Sequence, residues 1–311
     1  SKQSFFYSEL IYTLTTNPSI DYVMRIEDFA HGATLRSKAS EMYPGGKGIM
    51  VSKLLKNLGD DPVNIGFLGG FTGDFIRSEI RKLDIKESFT EIKGDSRINV
   101  KLKYQDETEI NAEGPHIEEA EVGKFFENLK YIKEDDLLVI SGSLPKSLDK
   151  DFYKEVIRRI SCEFTIDIAN KEVLDYLKYK PVLVKPNKEE LGKIFETEIE
   201  TDEEIISYAK KLNELGAENV IVSLGGEGSI FIDKDRVLKA SQITGKLVNS
   251  VGAGDSMVAG FVYGLSHGLS KEESYKLAVA CGTATAFSPD IGSKEKIDEI
   301  LEKVEVKESG N

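Results

Sequence analysis

Short apolar, β-branched runs alternate with amphipathic stretches over most of this chain, and that alternation restricts its folding more than any other feature. Leu10–Thr15, Val63–Phe67, Leu137–Ile140, Phe164–Ile168, Val182–Val184 and Val220–Leu224 read as buried strands. Ile49–Leu58, Phe75–Leu83, Glu118–Leu129, Phe152–Ile160, Lys188–Phe195 and Asp202–Leu215 carry helical periodicity between them. Strands joined through helices imply right-handed crossovers and a mostly parallel sheet covered on both faces, the α/β class. From Ala253 to about Val304 the pattern is mainly helical.

Two segments break the alternation. Asp21–Tyr43 and Arg97–Asn111 repeat every second residue, as in Ile98, Val100, Leu102 and Tyr104 against Asn99, Lys101 and Lys103. That period suits a small, half-exposed sheet assembled from distant pieces of chain. Such a sheet is a natural lid over a ligand site, and its second apolar face is a natural homodimer surface. The expected organisation is one domain over residues 10–305, with the lid at about 21–43 and 97–111. Residues 1–8 are expected to be extraneous or disordered.

Composition removes several classes of function. In 311 residues, 41 Lys and Arg against 54 Asp and Glu leave a net charge of −13, which disfavours non-specific nucleic-acid or anionic-membrane binding. An anionic substrate then needs a local basic pocket. The two cysteines, Cys162 and Cys281, make no disulfide framework and fit a reducing cytosol. His31, His116 and His267 lack ligand-like spacing, so no His/Cys metal site is expected. Apolar runs fall far short of the roughly 20 residues that span a bilayer. A cytoplasmic enzyme acting on a small molecule is the expectation.

Ligands of open α/β sheets bind at the carboxyl ends of strands, where loops enter helices. Glycine clusters stand at such places: Gly45-Gly46-Lys47-Gly48 before a helix, Gly225-Gly226-Glu227-Gly228 after a strand, and Gly252-Ala253-Gly254-Asp255 opening another helix. Small residues in the last cluster leave backbone N–H donors of a first helical turn open to an anion. A carboxylate there is costly unless it has a task, such as taking a proton from a nucleophilic hydroxyl; the plain alternative is that Asp255 caps the helix. The chain has no P-loop, no G-x-G-x-x-G and no G-x-S-x-G, which leaves Rossmann dehydrogenases and α/β-hydrolases without support.

The pairing of the Gly45–Gly48 cluster with Gly252–Asp255 resembles the ribokinase-type (PfkB) sugar kinases. Thr16–Asp21, Gly66–Gly73, Arg97–Lys101, Thr108–Asn111, Ser141–Pro145, Lys185–Glu190 and Ser223–Gly226 continue the likeness in order from Leu10 onward. The resemblance implies a ribokinase-like three-layer sandwich, with the active site between its sheet and a β lid. It makes Asp255 the general base and Gly252, Ala253 and Gly254 the anion hole. Asp21, Gly45 and Gly46 would face the sugar. Lys47 and Arg97 would bind the phosphate already on the substrate, with Lys101 and Asn111 beside them. Lys185, Asn187, Ser223, Gly225, Gly226, Gly228 and Gly254 would lie along ATP, and Asn187 with Glu190 would organise Mg²⁺ through water. Structural alternatives are a helix cap for Asn187, a solvated lid lysine for Lys101 and a tight turn for Gly225–Gly228.

The implied reaction is ATP-dependent phosphorylation of fructose 1-phosphate to fructose 1,6-bisphosphate. Phosphorylation of tagatose 6-phosphate is the close alternative. Two departures from the family pattern are Ala169-Asn170 after Asp167, and Met50 where an Asn normally faces the sugar. Losing one hydrogen bond to a substrate hydroxyl costs on the order of 1–3 kcal/mol, so a weakly active phosphosugar-binding protein is a further reading.

Overall fold

The computed structural model describes residues 10–309; the expectation for residues 1–8 lies outside them. Its central sheet joins β1 (Ile11–Thr15), β4 (Val63–Gly69), β5 (Lys86–Glu87), β6 (Thr90–Ile92), β9 (Leu137–Ser141) and β10 (Glu163–Asp167) in the order β10-β9-β1-β4-β5, with β6 also on β4. Every pairing in it is parallel. Strand side chains alternate between faces, and β9 shows the result: Leu138 and Ile140 enter one core, Leu137 and Val139 the other. The first core packs against α3 (Glu119–Leu129), α4 (Phe152–Arg159), α5 (Lys188–Ile194) and α6 (Asp202–Leu215). The second packs against α1 (Lys47–Asn57), α7 (Ala253–Ser266), α8 (Lys271–Ala286) and α9 (Lys294–Leu301). A smaller cluster holds α2 (Gly70–Lys82) through Ile76 and Ile80.

Two expectations need correction. Val182–Val184 is not a regular strand: lying between Pro181 and Pro186, which bring no N–H, it makes scattered bonds. The Val182 N–H donates to the Phe164 carbonyl (2.8 Å) and the Ile221 N–H to the Val184 carbonyl (3.1 Å). It thereby connects the parallel sheet to an antiparallel one of β11 (Val220–Ser223), β12 (Ser229–Ile232), β13 (Val237–Ala240) and β14 (Val306–Glu308), the last falling after the expected helical end. Helix α2 starts at Gly70 and not at Phe75; its first turn, Gly70-Phe71-Thr72-Gly73, carries no apolar periodicity to mark it in the sequence.

The lid is a four-stranded sheet, β3-β2-β7-β8, built from β2 (Ser19–Arg25), β3 (Ala39–Gly45), β7 (Arg97–Tyr104) and β8 (Asp106–Ile110). Residues 26–38, inside the first lid segment, form no strand. Asp21 pairs with Asn99 and Val23 with Lys101, so these side chains share one face. Ile98, Met42 and Ile110 point the other way and are exposed. Among the described residues no helix is long and apolar enough to cross a membrane.

Candidate active site

A cleft of about 260 Å³ lies between the carboxyl ends of β1 and β9 and the polar face of the lid. Asp21, Gly46, Lys47, Arg97, Lys101, Asn111 and Asp255 all line it, as do Met50, Thr15, Asn17, Asn99 and Ser141. A larger groove of about 710 Å³ along α5 gathers no buried polar side chain.

The end toward the sheet is dense in charge. Gly252, not Asp255, caps α7; its φ of 81° is left-handed, and a Cβ there would come within 2.9 Å of Met50 Cε. Asp255 therefore sits within the first turn, buried, and its Oδ1 has no hydrogen-bond partner. Burial, helped by Asp167 and Glu190 and opposed by Lys47 and Lys185, pushes the Asp255 carboxyl up to about 6. Lys47 opens α1, with Nζ 2.8 Å from Asp167 Oδ2 and 3.9 Å from Asp255 Oδ1. Burial alone would raise the Asp167 carboxyl, but Lys47 and Lys185 outweigh it and hold the group below its ordinary value. Lys185 is buried, and its Nζ lies 3.1 Å from where a side chain on Gly254 would place Cβ. Gly254 thus admits a cation to the first turn of α7.

The lid end is more open. Ser19 Oγ donates to Asp21 Oδ1 (2.7 Å), and Lys101 Nζ stands 3.8 Å from Asp21 Oδ2 and 3.7 Å from Glu109 Oε1. A Cβ on Gly45 would fall 2.3 Å from Asp21 Oδ2, so only glycine lets the carboxylate lie against that loop. Arg97 spends part of its fork on backbone: Nε donates to the Asn17 carbonyl and Nη1 to the Ala112 carbonyl, both at 3.0 Å. Asn99 Oδ1 accepts from the Ala112 N–H (3.0 Å), and Asn17 Nδ2 donates to the Glu113 carbonyl (2.9 Å). Together these bonds tie the chain leaving the lid to the cleft wall. Asn111 is exposed beside them.

On the remaining side, Asn187 is the N-cap of α5. Its Oδ1 accepts from the Glu190 N–H (2.7 Å) and its Nδ2 donates to Glu190 Oε1 (2.8 Å). Asn187 therefore orients Glu190. Burial raises the Glu190 carboxyl, with Lys185 and Lys47 opposing. Among the described residues no group of three or more His, Cys, Asp or Glu could hold a metal by itself. A single oriented carboxylate suits Mg²⁺ instead, which keeps waters and arrives on nucleotide phosphates. Asn187 bridges to Ser223 at the end of β11. Gly225 and Gly226 form an exposed turn there, and Gly228, at φ 93°, approaches the Ala240 carbonyl too closely for any Cβ. These glycines do not line the cleft.

Sequence reasoning missed Asp167, Asn17, Asn99, Thr15 and Ser141 as site residues. Asp167 carried a usable signal, being the acidic last residue of an apolar strand, where the carboxyl-end rule looks for function. Met50 lines the cleft and also packs on the second core.

The pattern of the pfkB family carbohydrate kinases matches residues 14–297. The 1-phosphofructokinase of Bacillus subtilis (strain 168) is 46% identical over 300 residues, 96% of this chain and 99% of its own length. The D-tagatose-1-phosphate kinase of Bacillus licheniformis is 36% identical over 301 residues, with the same coverage of 96% and 99%. The crystal structure of phosphofructokinase-2 from Escherichia coli in complex with substrates and products superposes with a TM-score of 0.89 at 27% identity, over 94% of this chain and 98% of that one.

Proposed function

The chain belongs to the pfkB family of carbohydrate kinases and is a sugar kinase, and we propose that it transfers the terminal phosphoryl group of ATP to fructose 1-phosphate. Membership implies ATP as the donor. The observation that carries the reading is Asp255: a buried carboxylate with an unpartnered oxygen, facing a sugar-sized cleft from the first turn of a helix. Asp255 takes the proton of the acceptor hydroxyl as the phosphoryl group arrives. Backbone N–H groups of Gly252 and Gly254, at the positive end of α7, meet the charge on the moving group; the Ala253 N–H, expected with them, donates to the Ser250 carbonyl (3.2 Å). Lys47 was expected to join Arg97 on the phosphate already on the substrate; its ammonium stands 2.8 Å from Asp167 and 3.9 Å from Asp255, so we assign it to the reacting end and leave that phosphate to Arg97, Lys101 and Asn111. Asp21, lying against Gly45, accepts from sugar hydroxyls, with Gly46 beside it in the cleft wall.

Lys185, Asn187, Ser223, Gly225, Gly226, Gly228 and Gly254 make the nucleotide side of the same proposal. Mg²⁺, when bound, neutralises nucleotide phosphate charge, and Glu190 would hold it. The whole forms one kinase unit over residues 10–305, dimeric through the exposed apolar lid face and cytoplasmic, which its two buried free cysteines support.

An ADP-release assay with Mg·ATP tests the substrate, comparing fructose 1-phosphate, D-tagatose 1-phosphate, tagatose 6-phosphate, fructose 6-phosphate and fructose. A preference of tenfold or more for fructose 1-phosphate, on the order of 1.4 kcal/mol, is expected. A preference for tagatose 6-phosphate would favour the alternative read from the sequence, which a 35% identical relative named tagatose-6-phosphate kinase supports; a preference for D-tagatose 1-phosphate would follow the 36% identical relative instead. Preference for unphosphorylated fructose would remove the roles given to Arg97 and Lys101. Sugar binding without turnover would favour a phosphosugar-binding protein and point to Met50.

A further inference from the structure

We propose that Asp167 is a positioning residue for phosphoryl transfer, holding the Lys47 ammonium at the reacting end of the cleft; the inference rests on the kinase reading above. Lysine is a point charge on a flexible four-carbon stem, and its position has to be imposed from outside. Here the Lys47 side chain is 41% exposed while its ammonium sits 2.8 Å from a carboxylate only 6% exposed. The stem passes Gly142, where a Cβ would stand in ordinary contact 3.9 Å from Lys47 Cδ. The base does not do the anchoring, since Asp255 Oδ1 is 3.9 Å away and stays free to receive a proton.

Nothing in the local backbone needs the Asp167 charge. Its carbonyl accepts from the Gly142 N–H at 3.1 Å whatever the side chain, and β10 pairs with β9 through backbone alone. A buried carboxylate is costly unless paired, and its position at the C-terminal end of β10 puts it where this sheet does its chemistry. The charges that act on Asp255 are Lys47 on α1, Asp167 on β10, Lys185 before α5 and Glu190 on α5. With Asp255 they sum to −1, which repels an arriving polyphosphate. A cation fixed on the reacting line therefore does more than one free to wander.

The test compares Lys47→Met, Asp167→Asn and the double variant in the ADP-release assay. Each single change is expected to lower kcat by about 10–100-fold with the phosphosugar KM within about threefold, since a contact made at the transition state is lost. If Asp167 acts through Lys47, the double variant stays within about threefold of Lys47→Met. A further loss of tenfold or more in the double variant, or an Asp167→Asn that raises KM with kcat intact, overturns the proposal. Lys47→Met against the double variant still decides the matter if Asp167→Asn alone does not fold. Should the wild-type protein phosphorylate none of the sugars, the function reading fails separately, and the pair is read from thermal transitions. Lowered single variants with recovery in the double support the coupling, and additive losses overturn it.

Discussion

At one end of the cleft, Asp255 and Asp167 are 8% and 5% exposed and stand on a helix and a strand of the two main cores. At the other, Asp21 and Lys101 project from a sheet whose far side leaves Ile98 and Ile110 exposed at 40% and 59%. Ile20 is the lid's contribution to a described core cluster. A region with few buried contacts opens more readily than one inside a core. The difference teaches a division of labour. On the proposed function, the groups assigned to proton and phosphoryl transfer are pre-organised by packing, whereas those assigned to substrate recognition ride on an element with few core contacts.

The largest break in this comparison is expected from Asp255→Asn, which should lower kcat by about 10²–10⁴-fold while sugar binding, measured by calorimetry, persists. The same variant should be more stable at pH 8. The folded carboxyl titrates at about 6 against an ordinary 3.8, so ionising it costs stability as pH rises through that interval, and Asn removes the cost. Equal melting temperatures for the two proteins at pH 8 would contradict that account of burial.

Arg97→Ala should strike the other end, raising the phosphosugar KM by about 10–100-fold with a smaller effect on kcat, because a charged hydrogen bond is worth roughly 1.5–3 kcal/mol. A pure kcat loss would place Arg97 with the catalytic groups instead. Met50 lies between the two ends, against Gly252 and inside the cleft. Met50→Asn should raise kcat/KM by up to about tenfold, one restored hydrogen bond being worth on the order of 1 kcal/mol; no gain would leave Met50 as packing. Smallest is the pH effect. The wild-type kcat/KM should fall below about pH 6 as Asp255 protonates, and Lys47→Met should move that limb to higher pH, because the lysine's pull on the carboxylate is gone. An unmoved limb would separate Lys47 from the base.

Much of the buried end of the cleft was legible beforehand. The glycine clusters at Gly45–Gly48 and Gly252–Gly254 mark places where backbone has to come close, and Asp255 stands beside one of them. Lys47 was legible as a cation but not as the partner of Asp167. The lid's two faces were readable from period two, yet Arg97's bonds to Asn17 and Ala112 were not, since they join β7 to chain on either side of it in space. Asn187 carries both readings, a cap that turns out to orient the residue assigned to the metal.

By itself the sequence determined the four longer strands of the parallel sheet, β1, β4, β9 and β10, most of the helices and the glycine loops beside the cleft, because apolar periodicity and glycine act through neighbours in the chain; the short β5 and β6 carry no such pattern. Only the tertiary structure decided that β10 lies two strands from β1, that Val182–Val184 joins two sheets, and that Lys47 reaches Asp167 and Asp255 at once. Those contacts unite residues far apart in sequence. Their energies depend on strand order and burial, which no local pattern encodes.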